Sequence, residues 1–149
     1  MSRSRGFTLL ELLVVLIIVA LATALAALAL PDSGDRALAR DADRLAALLE
    51  AARAQSRAAG VPVTWRLTAN GFAFNGLPAS SDGSAPLPDH WLDPTTQAAL
   101  LTPGGAALVL GPDPVIGPQA VLLHSAGKSA PQLRVATDGL RPFTVENAP

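Results

Sequence analysis

Polar positions all but vanish near the start of the chain. Residues 12–30 form a run of nineteen without a charge, a proline or a glycine. Drawn as a helix at ~1.5 Å per residue, residues 7–30 span about 36 Å, enough to cross a ~30 Å hydrocarbon core. Pro31-Asp32-Ser33-Gly34 interrupts this pattern, with Ser33 placed to cap a second helix. Over residues 35–59 the apolar positions return at helical spacing. Leu38, Leu45, Leu48, Leu49 and Ala52 fall on one face, and Arg36, Arg40, Asp43, Arg44, Glu50, Arg53 and Arg57 are assigned to the other surface. Gly60 is the expected stop.

Beyond Gly60 the period changes to two. Val61, Val63, Trp65 and Leu67 alternate with more polar neighbours, and Phe72 and Phe74 continue the pattern after Asn70-Gly71, a dipeptide suited to a type I′ hairpin turn. Residues 76–104 are rich in proline, glycine, serine and aspartate and read as one long loop. Further strands are expected at 106–110, 119–124 and 132–137. Asp138-Gly139 is read as a second turn, returning through 141–145. An amphipathic helix needs an apolar partner surface, and a sheet with one buried face supplies it. The expected class is therefore α+β, with the helix packed on an antiparallel sheet.

One charge breaks the apolar run: Glu11, one turn into the helix and five residues after Gly6. An ionised group at a bilayer centre costs about 2.5–3.5 kcal/mol, less near the interface. Two readings account for it. The glutamate snorkels to the head groups, or it pairs with a positive charge that fixes the register of stacked helices. Cleavage after Gly6 would supply that charge as the α-amine of Phe7. A secretory signal peptide fits less well, because its small-residue site follows the apolar stretch and Gly6 precedes it. Arg3 and Arg5 lie before the run, which places the N-terminus in the cytoplasm and the C-terminal bulk outside.

The chain has 149 residues, so roughly 115 remain after the apolar helix for one small domain. Formal net charge is −1, and loss of Arg3 and Arg5 would take it to −3. An acidic balance argues against a nucleic-acid surface. With no cysteine, the domain relies on packing, and thiol nucleophiles and zinc–thiolate sites are excluded.

Gly6-Phe7-Thr8-Leu9-Leu10-Glu11, with Arg3 and Arg5 before it and the apolar run behind it, resembles the leader of type IV pilins and type II secretion pseudopilins. The resemblance implies cleavage between Gly6 and Phe7 by a membrane aspartic peptidase, N-methylation of Phe7, and Glu11 as the assembly glutamate. One departure is that no proline interrupts residues 7–30, where many major pilins kink. Two further segments, 108–119 around Gly111-Pro112-Asp113-Pro114 and 135–143 around Asp138-Gly139-Leu140-Arg141-Pro142-Phe143, resemble type II secretion minor pseudopilin H. Residues 52–63 resemble a helix-to-strand junction shared with FimT-like minor pilins. On turn chemistry alone these segments are rigid loops, and no reaction follows from them.

The resemblance implies a leader at 1–6, a transmembrane filament-core helix at 7–30, and a periplasmic pilin-like domain at 31–149. It implies a minor pseudopilin in the inner membrane that supports protein export, with the major pseudopilin, other minor pseudopilins and the prepilin peptidase as partners. It also implies contact of the filament tip with secreted substrates or the outer-membrane channel. The alternative is a FimT-like minor pilin of a type IV pilus, in assembly or DNA uptake. A membrane-anchored enzyme is the rival from another class, and it leaves Gly6 and Glu11 unexplained.

No catalytic residue, cofactor or metal site is expected. His90 and His124 lack a partner motif, and Asp89 and Asp93 flank His90-Trp91-Leu92 with too few oxygens for the about 6–8 that calcium takes. Trp91 is divided between an interface contact and core burial. Arg134 and Arg141 read as solvated strand charges.

Overall fold

The computed structural model describes residues 9–29, 33–77, 85–102, 105–126 and 132–148. The chain divides into two units, Met1–Asp32 and Ser33–Pro149. The first contains α1, Leu9–Ala29, a helix of 21 residues. Its side chains are exposed over residues 9–24 and are apolar on every face apart from Glu11 and Thr23. A helix with no polar face is stable only among lipid or other apolar helices. Among the described residues no helix is long and apolar enough to cross a membrane. Residues 9–24, the stretch of α1 described with its side chains, fall short of the about 20 a span needs, and the expected span 7–30 reaches beyond them at both ends.

The second unit begins with α2, Ser33–Ala59, 27 residues long. Its buried stripe is Leu38, Asp41, Ala42, Leu45, Leu49, Ala52, Arg53 and Ser56, a continuous 3–4 spacing. Arg53 is thus on the core face and not on the solvent face to which its charge assigned it. Each fully buried leucine contributes about 1.5–3 kcal/mol, which holds a helix that is marginal alone. Gly60 ends it as expected. Its φ is 66°, and the Val61 N–H donates to the Ser56 carbonyl at 3.3 Å, the long bond of a left-handed C-cap.

Among the described residues seven strands follow: β1 (Thr64–Thr68), β2 (Gly71–Asn75), β3 (Thr96–Leu100), β4 (Leu108–Val109), β5 (Gln119–Ser125), β6 (Gln132–Thr137) and β7 (Thr144–Asn147). They form two antiparallel sheets, ordered β2-β1-β4 and β3-β5-β6-β7. α2 lies across β5, β6 and β7. Trp65, Phe72 and Leu108 of the smaller sheet and Val63 just before β1 join Leu38, Leu45, Leu49, Val121, Leu123 and Val135 in one core. The α+β expectation holds, with two sheets in place of one.

The segment expected to be a loop, 76–104, contains β3. Thr-Gln-Ala-Ala-Leu has only one β-branched residue and lies between turn-rich stretches, so its composition hides an edge strand that pairs on one side only. The first hairpin turn is also displaced. Thr68 pairs with Gly71, which leaves Ala69-Asn70 as the loop. Among the described residues only glycines have positive φ, and Gly71 is not one of them, so no type I′ turn forms. Gly71 serves close approach instead. A Cβ there would collide with the Asp89 carbonyl, and the adjacent Phe72 N–H donates to that carbonyl at 2.9 Å.

Asp138-Gly139 does lie in the β6–β7 connection, within a wider loop spanning 138–143. Asp138 Oδ1 accepts the N–H groups of Leu140 and Arg141 at 2.9 and 2.8 Å. That loop consumes Arg141 and Pro142, so β7 starts at Thr144, later than expected.

Candidate functional site

Gly6 and Phe7, the expected cleavage and methylation positions, lie outside the described residues, as do Arg3 and Arg5. Glu11 lies in the first turn of α1, exposed. A carboxylate there faces the positive end of the helix dipole, a favourable placement by itself. The described neighbours on the helix are apolar, so Glu11 is the ionisable group that α1 presents over residues 9–24.

The motif segments of the second unit meet at one place, and their chemistry is structural. Arg53 is 2% exposed. Its Nη2 donates to the carbonyls of Gly139 at 2.8 Å and Pro114 at 3.1 Å, and its Nη1 to that of Arg141 at 3.3 Å. Glu50 Oε1 lies 3.5 Å from Arg53 and accepts the Phe143 N–H at 3.0 Å. One turn of α2 therefore ties the 111–117 loop to the 138–143 loop. The Ile116 N–H adds a direct bond to the Gly139 carbonyl at 3.3 Å.

A second buried charge went unforeseen. Asp41 is 1% exposed. It accepts the N–H groups of Leu92 (2.7 Å) and Asp93 (3.1 Å) and the Thr96 hydroxyl (2.8 Å). Arg44 Nη1 adds a bond to the His90 carbonyl at 2.9 Å. The signal lay in the spacing: Asp41 falls three after Leu38 and four before Leu45, on the apolar stripe.

The remaining candidates each contact a neighbour. His90 Nδ1 is 3.1 Å from Asp89 Oδ1, and His124 Nε2 is 3.2 Å from Gln97 Oε1. The His90 hydrogen bond holds the Asp89 carboxyl below its usual range. Asp93 Oδ1 accepts both the hydroxyl (2.6 Å) and the N–H (2.8 Å) of Thr95, and that hydroxyl is the main reason its carboxyl is depressed. Among the described residues no group of ligating side chains could hold a metal ion. Trp91 is half-buried with its ring 4.7 Å from Phe72, so it caps the core rim. Arg134 pairs with Glu146 and Arg141 with Asp138, each at 3.0 Å, and all four line one cleft.

Asp138 is held below its ordinary 3.8, first by the Arg141 N–H and then by that of Leu140. A depressed folded value means that this anchoring is present above the ordinary value and is lost as pH falls through the folded one.

Residues 1–27 match the prokaryotic N-terminal methylation motif. No curated protein matches the chain. Among solved structures, the type IV minor pilin FimU of Pseudomonas aeruginosa is similar, with a TM-score of 0.51 and 18% sequence identity, over 75% of this chain and 88% of that one. An identity that low speaks to fold alone. The motif is a type IV prepilin-like leader and implies a membrane-anchored N-terminus. The chain thus joins an N-terminal methylation motif to a domain of pilin-like α+β fold.

Proposed function

We propose that this chain is a non-catalytic minor subunit of a type II secretion pseudopilus, anchored in the inner membrane with its second unit in the periplasm. The observation that carries the reading is the methylation motif over residues 1–27 with Glu11 in the first turn of an otherwise apolar helix. The segments 108–119 and 135–143 point to pseudopilin H within that class. Its partners are the prepilin peptidase, the major pseudopilin and other minor pseudopilins, and at the tip a secreted substrate or the outer-membrane channel. The likeness to FimU favours a second reading, a minor pilin of a type IV pilus. Complementation separates them: rescue of secretion supports the first, and rescue of piliation or DNA uptake alone supports the second.

Processing is the direct test. Co-expression with a prepilin peptidase is expected to shorten the chain by the six residues before Phe7 and leave N-methyl-Phe7, as read by intact mass. Gly6→Val places a β-branched side chain at the scissile bond and is expected to block the cut. An unprocessed wild-type chain, or a cut after Ala26 or Ala27, would overturn the proposal.

Glu11 is proposed to act in assembly and not in processing. Glu11→Leu makes the helix more apolar, so insertion is expected to persist and cleavage to proceed. The Phe7 amine then loses its proposed partner, and crosslinking to the neighbouring subunit is expected to fall at least tenfold. Wild-type crosslinking by Glu11→Leu would leave the glutamate as a group that merely snorkels.

A further inference from the structure

Strand edges attract further strands, and folded proteins blunt them. In the second unit two edges are blunted by visible devices. The outer edge of β2 is met by the Asp89 carbonyl, which accepts the Phe72 N–H at 2.9 Å. The outer edge of β4 is met by a side chain. Gln119 Oε1 accepts the Val109 N–H at 2.6 Å, and Gln119 Nε2 donates to the Val109 carbonyl at 2.8 Å, as a neighbouring strand would. Three other edges have no such cover among the described residues, those of β1 beyond β4, of β3 and of β7, and residues of the first two line one cleft.

The parity of the ladders says which backbone groups turn away from the paired strand. The Leu110 N–H donates to the Val63 carbonyl, so Val63, Trp65 and Leu67 turn their backbone groups away from β2. β4 pairs only with Thr64 and Trp65. The outward N–H and C=O of Leu67 therefore meet no backbone partner among the described residues. On β3, the Leu101 N–H donates to Ala120 and the Thr95 carbonyl accepts from Ala126, so odd-numbered residues bond to β5. Ala98 then points its N–H and C=O away from β5, again with no partner among the described residues. Leu67 and Ala98 both line a cleft of about 620 Å³, floored in part by Trp91. No carboxylate, lysine or arginine lines it.

We propose that this cleft is a strand-addition site, which takes an extended, uncharged segment of a partner polypeptide between β1 and β3. The arrangement fits a strand in three ways: unpaired donors and acceptors on two walls, an apolar floor at Leu67, Ala98 and Trp91, and a lining without the charges that natural edges use for repulsion. Main-chain bonds to Leu67 and Ala98 would supply affinity, and a small or aliphatic side chain would face the floor. The added strand would join the two sheets through one shared neighbour. A charged segment would meet no carboxylate, lysine or arginine in the lining to pair with.

The test uses the full chain in detergent micelles with a capped Thr-Val-Thr-Val-Thr peptide as probe. Hydrogen exchange read by NMR is expected to show the Leu67 and Ala98 amides slowing at least tenfold on peptide addition, with the β5–β6 amides unchanged. Ala98→Pro removes the outward N–H without touching a β3–β5 bond, and is expected to weaken the peptide at least tenfold with an unchanged near-ultraviolet circular dichroism spectrum. Should that variant misfold, the probe N-methylated at its central threonine is expected to show the same loss on the unaltered chain. Unchanged exchange at millimolar peptide would overturn the proposal, as would full binding by Ala98→Pro or by the methylated probe. Two results without peptide also count against it. Protection independent of protein concentration means the cleft is closed by its own chain, and protection that rises with concentration assigns it to a second copy.

Discussion

Gly139→Ala is expected to cost the domain about 4 kcal/mol or more, while Gly60→Ala costs only about 1 kcal/mol. Both glycines have positive φ, 93° and 66°, so both substitutions meet the backbone penalty of about 1–2 kcal/mol for an L-residue there. They differ in space. A Cβ at Gly60 meets nothing within 4 Å, whereas one at Gly139 would collide with the Ile116 carbonyl. That carbonyl cannot retreat cheaply, because the Ile116 N–H and Arg53 Nη2 both donate to the Gly139 carbonyl, locking the two loops together. Thermal unfolding followed through the two tryptophans is expected to place the variants at least ~10 °C apart. Equal midpoints would show that the knot around Arg53 yields without loss, and its assigned role would fail.

The sequence disclosed elements wherever a period was sustained and one residue type had one use. The apolar run, the amphipathic stripe from Leu38 to Ala52 and the strand at 132–137 are of this kind, because burial of one face dictates the spacing. Gly60 was legible for the same reason, since a glycine after a helical stripe is most simply its stop. Reading failed where one residue type serves two ends. Asn70-Gly71 has the composition of a primed turn, yet the glycine is fixed by a chain segment eighteen residues away that passes over it. Its charge assigns Arg53 to solvent, although three loop carbonyls and Glu50 take up its Nη1 and Nη2 groups inside. β3 has little β propensity, because an edge strand paired on one side is held by its ladder with β5 more than by its composition. Of the leader, the chemistry at Gly6 and Phe7 was carried by residue order alone. What Glu11 pairs with in a filament depends on other chains, which no single sequence contains.

Asp41→Ala is expected to destabilise the domain by about 3–5 kcal/mol and to release the segment it holds. Hydrogen bonds to a charged group are each worth about 1.5–3 kcal/mol net, and three that share one carboxylate add less than fully. Alanine leaves the N–H groups of Leu92 and Asp93 and the Thr96 hydroxyl without their acceptor, at a site where the carboxylate itself is 1% exposed. The loss is local first. Hydrogen exchange at Leu92 and Asp93 is expected to accelerate more than at Val121 and Val135, whose amides belong to the β5–β6 ladder and report global opening. Asp41→Asn separates charge from geometry. An asparagine keeps one acceptor oxygen and turns an NH₂ toward the remaining donors, so a cost of about 2 kcal/mol is expected, between wild type and alanine. Arg44, which donates to the His90 carbonyl from the next turn of α2, keeps one attachment in both variants. The segment is thus expected to loosen from its Leu92 end, not to detach. Denaturant unfolding that places Asp41→Ala within about 1 kcal/mol of wild type, with unchanged exchange at Leu92, would show that solvent replaces the carboxylate at no cost and that the segment is held by its other contacts, Trp91 on Phe72, Arg44 on the His90 carbonyl and the Phe72 N–H on the Asp89 carbonyl.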